Sequence, residues 1–237
     1  MDVIVFNLTT AMLLVLIASS GVALVGQDTI PRRRIPWVAV ALVALAVAGV
    51  VLQLTWSGAM DALDNDPARS GWWRVVTSVF MQNGGVAGAA WNIVTLGLVA
   101  ALAEWFWGGT IAFALFLMGI LAPQHVDALL GIAGGPVDPR NFAGSSGATY
   151  FLGATLVVPL LVRTRVVKER LIAAGVVVLG LVMWFAQDNG HGLVSVYGAT
   201  LGAVVWALGH KLIHPERDLT RPARMTLGSL PGLAGRR

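Results

Sequence analysis

The sequence predicts an all-α, polytopic membrane helical bundle, and three observations predict it. Of the 237 residues, 57% are hydrophobic and only 12% charged, about half the charged share of a soluble domain. Apolar runs long enough to cross ~30 Å of hydrocarbon recur along the chain, and mean hydropathy is +0.77. The basic residues flank these runs and form no continuous face, which speaks against a nucleic-acid partner despite the net charge of +4. Membrane lipid is therefore the solvent for most of the chain. With no cysteine, disulfides, cysteine-ligated zinc and a thiol nucleophile are excluded.

Seven apolar segments follow one another: Val3–Val25, Ile35–Trp56, Val86–Trp107, Thr110–Ala122, Ser146–Val162, Leu171–Phe185 and Leu193–Leu208. The first lacks a basic leading region and a small-x-small cleavage site, so it reads as a retained helix (residues 1–30) and not as a signal peptide. The fourth is short for a span unless it continues toward Leu130. Two connections stand out. Ser57–Gly85 is long and carries Trp72, Trp73, Arg74 and Phe80, which marks a partly buried interfacial element. Pro123–Ala143, in which His125 falls, is rich in Gly and Pro and leads into Gly144-Ser145-Ser146-Gly147. From residue 211 to 237 the chain is a polar tail, and from Pro215 onward its composition is that of a disordered segment.

Basic residues concentrate at Arg32–Arg34, Arg163–Arg170 and Lys211–Arg237, which with seven helices all fall on one side. That side holds 13 of the 16 Lys and Arg, leaving Arg69, Arg74 and Arg140. The positive-inside rule then places the N-terminus outside and the C-terminus in the cytoplasm. The preference for Arg over Lys and the richness in Ala, Val and Gly are those of a GC-rich bacterial genome, hence a bacterial plasma membrane.

Polar groups at membrane depth are costly and each needs a reason. Asn92, Glu104, Ser145, Ser146, Tyr150 and His191 are the short roster. Gly144, Ser146 and Gly147 open the fifth segment, where flanking glycines let the chain turn and free N–H groups face a developing negative charge. The same residues also suit simple helix capping and close packing. His191 opens the seventh segment at the same level, and a serine needs a base such as neutral imidazole to become a nucleophile. Tyr150 follows Ser146 by four residues, on the same helix face. Gly198 and Gly202 lie on the His191 face and form a small-x-x-x-small seam for a neighbouring helix. His210 and His214 have ligand-like i, i+4 spacing without a third ligand, which reads as a surface pair.

The ensemble resembles the rhomboid intramembrane serine proteases. Gly144-x-Ser146-Gly147 with Tyr150, and a later His191 followed by glycines, is similar to that family's catalytic pattern. Trp73-Arg74 in the long first loop, Asn92 in the next helix, and Glu104 with Gly108 extend the likeness over about residues 36–209. The resemblance implies a six-helix core (35–210) preceded by one extra N-terminal transmembrane helix. It implies Ser146 as nucleophile and His191 as general base, with Tyr150 packed on the histidine ring. Asn92 and the Ser146 N–H would serve the oxyanion, and Trp73, Arg74, Glu104, Gly198 and Gly202 would be structural. The family often has a histidine four residues before the asparagine, where Gly88 stands here. Gln82 replaces a common loop-one histidine, and Val194 a common glycine. The implied partners are transmembrane protein substrates, cut near the extracytoplasmic face; no metal or organic cofactor is implied. Two other readings stand beside this one: a non-catalytic rhomboid-like protein that binds transmembrane clients, and a small transporter or channel.

Overall fold

A computed structural model describes residues 3–66, 69–129, 143–211, 213 and 217–221. Among these residues the regular structure is helical: α1 (Val3–Val25), α2 (Trp37–Thr55), α3 (Ala59–Leu63), α4 (Trp73–Thr77), α5 (Gly85–Trp107), α6 (Gly109–Leu129), α7 (Ser146–Ala154), α8 (Val157–Arg163), α9 (Val167–Gln187) and α10 (Gly190–Gly209), with 3-10 turns at Gln27–Arg32 and Ser78–Phe80. Among the described residues, six helical units are long and apolar enough to cross a membrane: α1, α2, α5, α7 with α8, α9 and α10. At 1.5 Å per residue, the 23 residues of α1 reach about 34 Å, enough to cross the ~30 Å of a bilayer core. The outward faces are apolar, with Leu8, Leu54, Val94, Phe185 and Leu208 more than 60% exposed. A water-soluble protein rarely leaves this much apolar surface bare, so the arrangement is that of a multi-pass membrane protein.

α7 is the axis of the bundle. Every residue from Ala148 to Ala154 is buried, and the helix packs against α1, α5, α6 and α10. Small residues on α10 make the closest of these contacts. A Cβ at Gly198 would overlap the Phe151 carbonyl oxygen, and one at Gly202 the Thr155 carbonyl oxygen. Only glycine lets the two backbones meet in this way.

The fifth apolar segment, continuous in the sequence, is broken at Thr155–Leu156 into α7 and α8. The cause is Pro159, which lacks the N–H that would return to the Thr155 carbonyl and whose ring crowds it. Neighbours absorb the irregularity: Thr155 Oγ1 donates to the Leu152 carbonyl at 2.6 Å and accepts from Trp107 Nε1 at 2.9 Å.

Other boundaries also differ from the hydropathy reading. α6 runs through Pro123 to Leu129, although its apolar part ends at Pro123 and is shorter than a span; His125 therefore sits on this helix and not in a loop. α9 begins a turn earlier than its apolar stretch, because Lys168, Glu169 and Arg170 continue the helix at the interface. Within the tail, Arg217–Arg221 fold back onto the bundle, contrary to the reading of disorder from Pro215. Leu219 is buried, its carbonyl accepts from Arg165 N at 3.2 Å, and Arg217 pairs with the buried Glu169 at 2.7 Å. Arg140 and His214 lie outside the described residues.

The described arginine clusters gather at one end. Arg33 donates to the Trp105 and Val25 carbonyls, and Arg217 to the Ala23 carbonyl. The N-termini of α1, α5, α7 and α10 point to the other end.

Candidate active site

The site lies at this second end, where two helix N-termini converge. Gly144 turns the chain into α7 with φ 135°, a conformation that favours glycine. Its N–H donates to the Ser78 carbonyl at 2.9 Å, so the long first loop holds the entry to the helix. Ser146 is the first residue of α7, and no side chain caps that end. The first N–H groups of the helix therefore face the site, with the positive pole of its dipole behind them. A Cβ at Gly147 would meet nothing within 4 Å, so the space beside Ser146 is open.

His191 is the second residue of α10. Its Nε2 lies 3.0 Å from Ser146 Oγ. The Tyr150 ring packs edge-on against the imidazole with centroids 4.9 Å apart. The Tyr150 hydroxyl does not reach the histidine; it donates to the Thr10 carbonyl of α1 at 2.8 Å. Phe6 of α1 adds a second edge contact at 6.3 Å. A hydroxyl, an imidazole and an aromatic wall are thus assembled from α7, α10 and α1.

The sequence reading did not single out Asn189. It is fully buried, caps α10, and its Oδ1 accepts from His191 N at 3.0 Å and lies 3.1 Å from His191 Nδ1. Its Nδ2 donates to Thr10 Oγ1 at 3.0 Å. The available signal was an Asn directly before an apolar helix, the preferred N-cap position.

On the other flank, Asn92 Nδ2 donates to Gln82 Oε1 at 2.8 Å, and both groups border Gly144. Gln82 is itself fixed by reciprocal bonds with Gln53, its N–H donating to Gln53 Oε1 at 2.8 Å and its carbonyl accepting from Gln53 Nε2 at 3.0 Å. Gln82 Nε2 and Ser145 Oγ are buried without a hydrogen-bond partner among the described residues. A Cβ at Gly88 would come within 2.8 Å of the Asn83 carbonyl oxygen, so a larger side chain there needs a local backbone shift.

The remaining singled-out residues lie away from the dyad. Arg74 is buried and bridges α3 to α4, donating to the Asp64 and Asp61 carbonyls at 3.1 and 3.0 Å and pairing with Asp64 Oδ1 at 3.4 Å. Trp73 is half-exposed and packs edge-on against Trp72. Glu104 sits at the arginine-rich end, where its Oε2 accepts from Ala39 N at 3.0 Å in the first turn of α2. The chain matches no protein-family model, and no curated protein matches it.

Proposed function

We propose that this chain is an intramembrane serine endopeptidase of the rhomboid type, with a six-helix core over residues 35–210 and α1 as the additional helix. The observation that carries the reading is the 3.0 Å approach of Ser146 Oγ to His191 Nε2, made inside a bundle whose outer faces are apolar. A serine hydroxyl against an imidazole, beside an uncapped helix N-terminus, is the set of groups that acyl transfer needs.

In this reading the Ser146 Oγ–H bond breaks and the proton passes to His191 Nε2. The oxygen attacks the carbonyl carbon of a peptide bond, and that bond's π electrons move to the carbonyl oxygen. The Ser146 and Gly147 N–H groups and the Asn92 amide face the developing oxyanion, with Gln82 beside Asn92. Collapse breaks the C–N bond, and His191 returns its proton to the leaving amine. Water then repeats the sequence on the acyl-enzyme and releases the serine. Substrates would be transmembrane proteins cut near the extracytoplasmic face, at a place where the helix unwinds, because a helical carbonyl is hydrogen-bonded and shielded.

A second reading, a non-catalytic binder of transmembrane clients, is favoured by Gly88, where the family often supplies an oxyanion histidine. The test is covalent labelling by a fluorophosphonate in detergent or liposomes. Labelling that is lost in Ser146→Ala and His191→Ala supports the protease. A wild-type chain that labels no better than Ser146→Ala leaves the client-binding reading.

A further inference from the structure

We propose that Asn189 is a positioning residue that selects the His191 tautomer, and that Thr10 of α1 holds Asn189 in place, making the N-terminal helix a working part of the active site. The proposal rests on the serine-protease reading of Ser146 and His191.

The hydrogen bonds determine the chemistry step by step. The His191 backbone N–H can only donate, so the Asn189 side-chain atom 3.0 Å from it is the oxygen and not the amide nitrogen. That same oxygen lies 3.1 Å from His191 Nδ1. An oxygen acceptor requires a donor opposite it, so Nδ1 carries the ring proton. The neutral imidazole then has a bare lone pair on Nε2, the atom that faces Ser146 Oγ at 3.0 Å. The opposite tautomer would set two acceptors against each other at Asn189 and leave Nε2 with no capacity to take a proton. Asn189 is fully buried, so no exposed face admits water as a substitute acceptor. After proton transfer, the imidazolium keeps its Nδ1–H bond to the amide oxygen.

The orientation of the amide is itself set by α1. With Oδ1 on His191, Nδ2 points to Thr10 Oγ1 at 3.0 Å. The carbonyl of the same Thr10 accepts from Tyr150 at 2.8 Å. One residue of α1 thus anchors two of the side chains that touch the imidazole, Asn189 and Tyr150. Thr9 adds a clamp, donating to Gln187 Oε1 at 2.9 Å at the end of α9, which fixes the short Asp188–Asn189 connection. The first helix supplies half of the hydrogen-bonded frame around the base.

The experiment uses the full chain in proteoliposomes, with Asn189→Ala, Asn189→Asp, Thr10→Val, Thr10→Ser and Ser146→Ala. Three readouts are taken: fluorophosphonate labelling rate, kcat and KM on a transmembrane substrate, and the 15N spectrum of the His191 imidazole, assigned against His191→Gln. Asn189→Ala is expected to lower labelling and kcat about 10–100-fold at nearly constant KM, the size of effect seen when a group that orients a histidine is lost. Its 15N spectrum should lose the pure Nδ1–H signature. Asn189→Asp keeps the acceptor and should recover activity to within a few-fold. Thr10→Val, of equal size, should fall in between, and Thr10→Ser should match wild type. The 15N measurement is repeated in the Ser146→Ala background, where it is independent of turnover. If wild type fails to label, the protease reading fails, and the 15N spectrum alone decides what Asn189 does. An unchanged imidazole spectrum in folded Asn189→Ala overturns the role of Asn189; Thr10→Val indistinguishable from wild type overturns that of α1.

Discussion

Gly198 rests on the carbonyl of Phe151, with no room for a methyl group between α10 and α7. His191 lies two turns before Gly198 on α10 and Ser146 lies five residues before Phe151 on α7. This glycine contact, well inside the bundle, holds together the two helices that carry the Ser146 hydroxyl and the His191 imidazole. Gly198→Ala forces the helices apart and should cost about 1–3 kcal/mol, the usual range for overpacking. Thermal unfolding in detergent should show the loss, and probe labelling should fall with it. A variant with unchanged melting and labelling would show that the contact does not hold the dyad together.

Tyr150 contributes through two separable groups. Tyr150→Phe keeps the ring against His191 and removes only the bond to the Thr10 carbonyl. It should cost about 1 kcal/mol of stability and lower kcat only a few-fold. Tyr150→Ala also removes a ring from the most buried helix, at about 3–5 kcal/mol, and should abolish turnover. Equal kinetics for the two variants would mean that the ring contact has no part in holding the imidazole.

Asn92 and Gln82 should behave as one unit. If the proposed oxyanion role of Asn92 holds, Asn92→Ala should lower kcat by about 10²–10³ with little change in KM. Because Asn92 Nδ2 is bonded to Gln82 Oε1, Gln82→Ala in the Asn92→Ala background should cost less than it does alone. Strictly additive losses in kcat would separate the two roles.

Arg74 is linked to the site through the first loop. Its guanidinium ties α3 to α4, and the Ser78 carbonyl just beyond α4 holds Gly144. Arg74→Ala breaks a buried pair and should cost about 3 kcal/mol or more. Limited proteolysis should then nick the Ser57–Gly85 connection, and labelling of Ser146 should drop. A loop that stays protected while labelling persists would remove Arg74 from this chain of contacts.

Glu104 is placed to serve stability alone. Its carboxylate accepts from Ala39 N, one of the N–H groups that the first turn of α2 leaves without an intrahelical acceptor. Glu104→Ala should lower stability by about 0.5–2 kcal/mol, the range of a lost helix cap, with kcat preserved in the folded fraction. A selective loss of kcat at unchanged melting temperature would assign Glu104 another role.

The sequence by itself determined the helical class, most of the spans and the gathering of basic residues at one end, because a bilayer demands long apolar helices and penalises charge at depth. It also placed Ser146, Tyr150, His191 and the Gly198–Gly202 seam on the helix faces where they stand, since 3.6-residue periodicity is local. It left open whether the fourth segment runs on toward Leu130, did not show the break before Pro159, and misjudged the tail at Leu219, because each of these conformations depends on neighbours that accept a freed carbonyl or cover a side chain. Only the tertiary structure brought Thr10 to Asn189, across 179 positions. Hydrogen bonds between distant helices obey no spacing rule, so the polar frame behind the imidazole becomes visible only when α1 and α10 are packed.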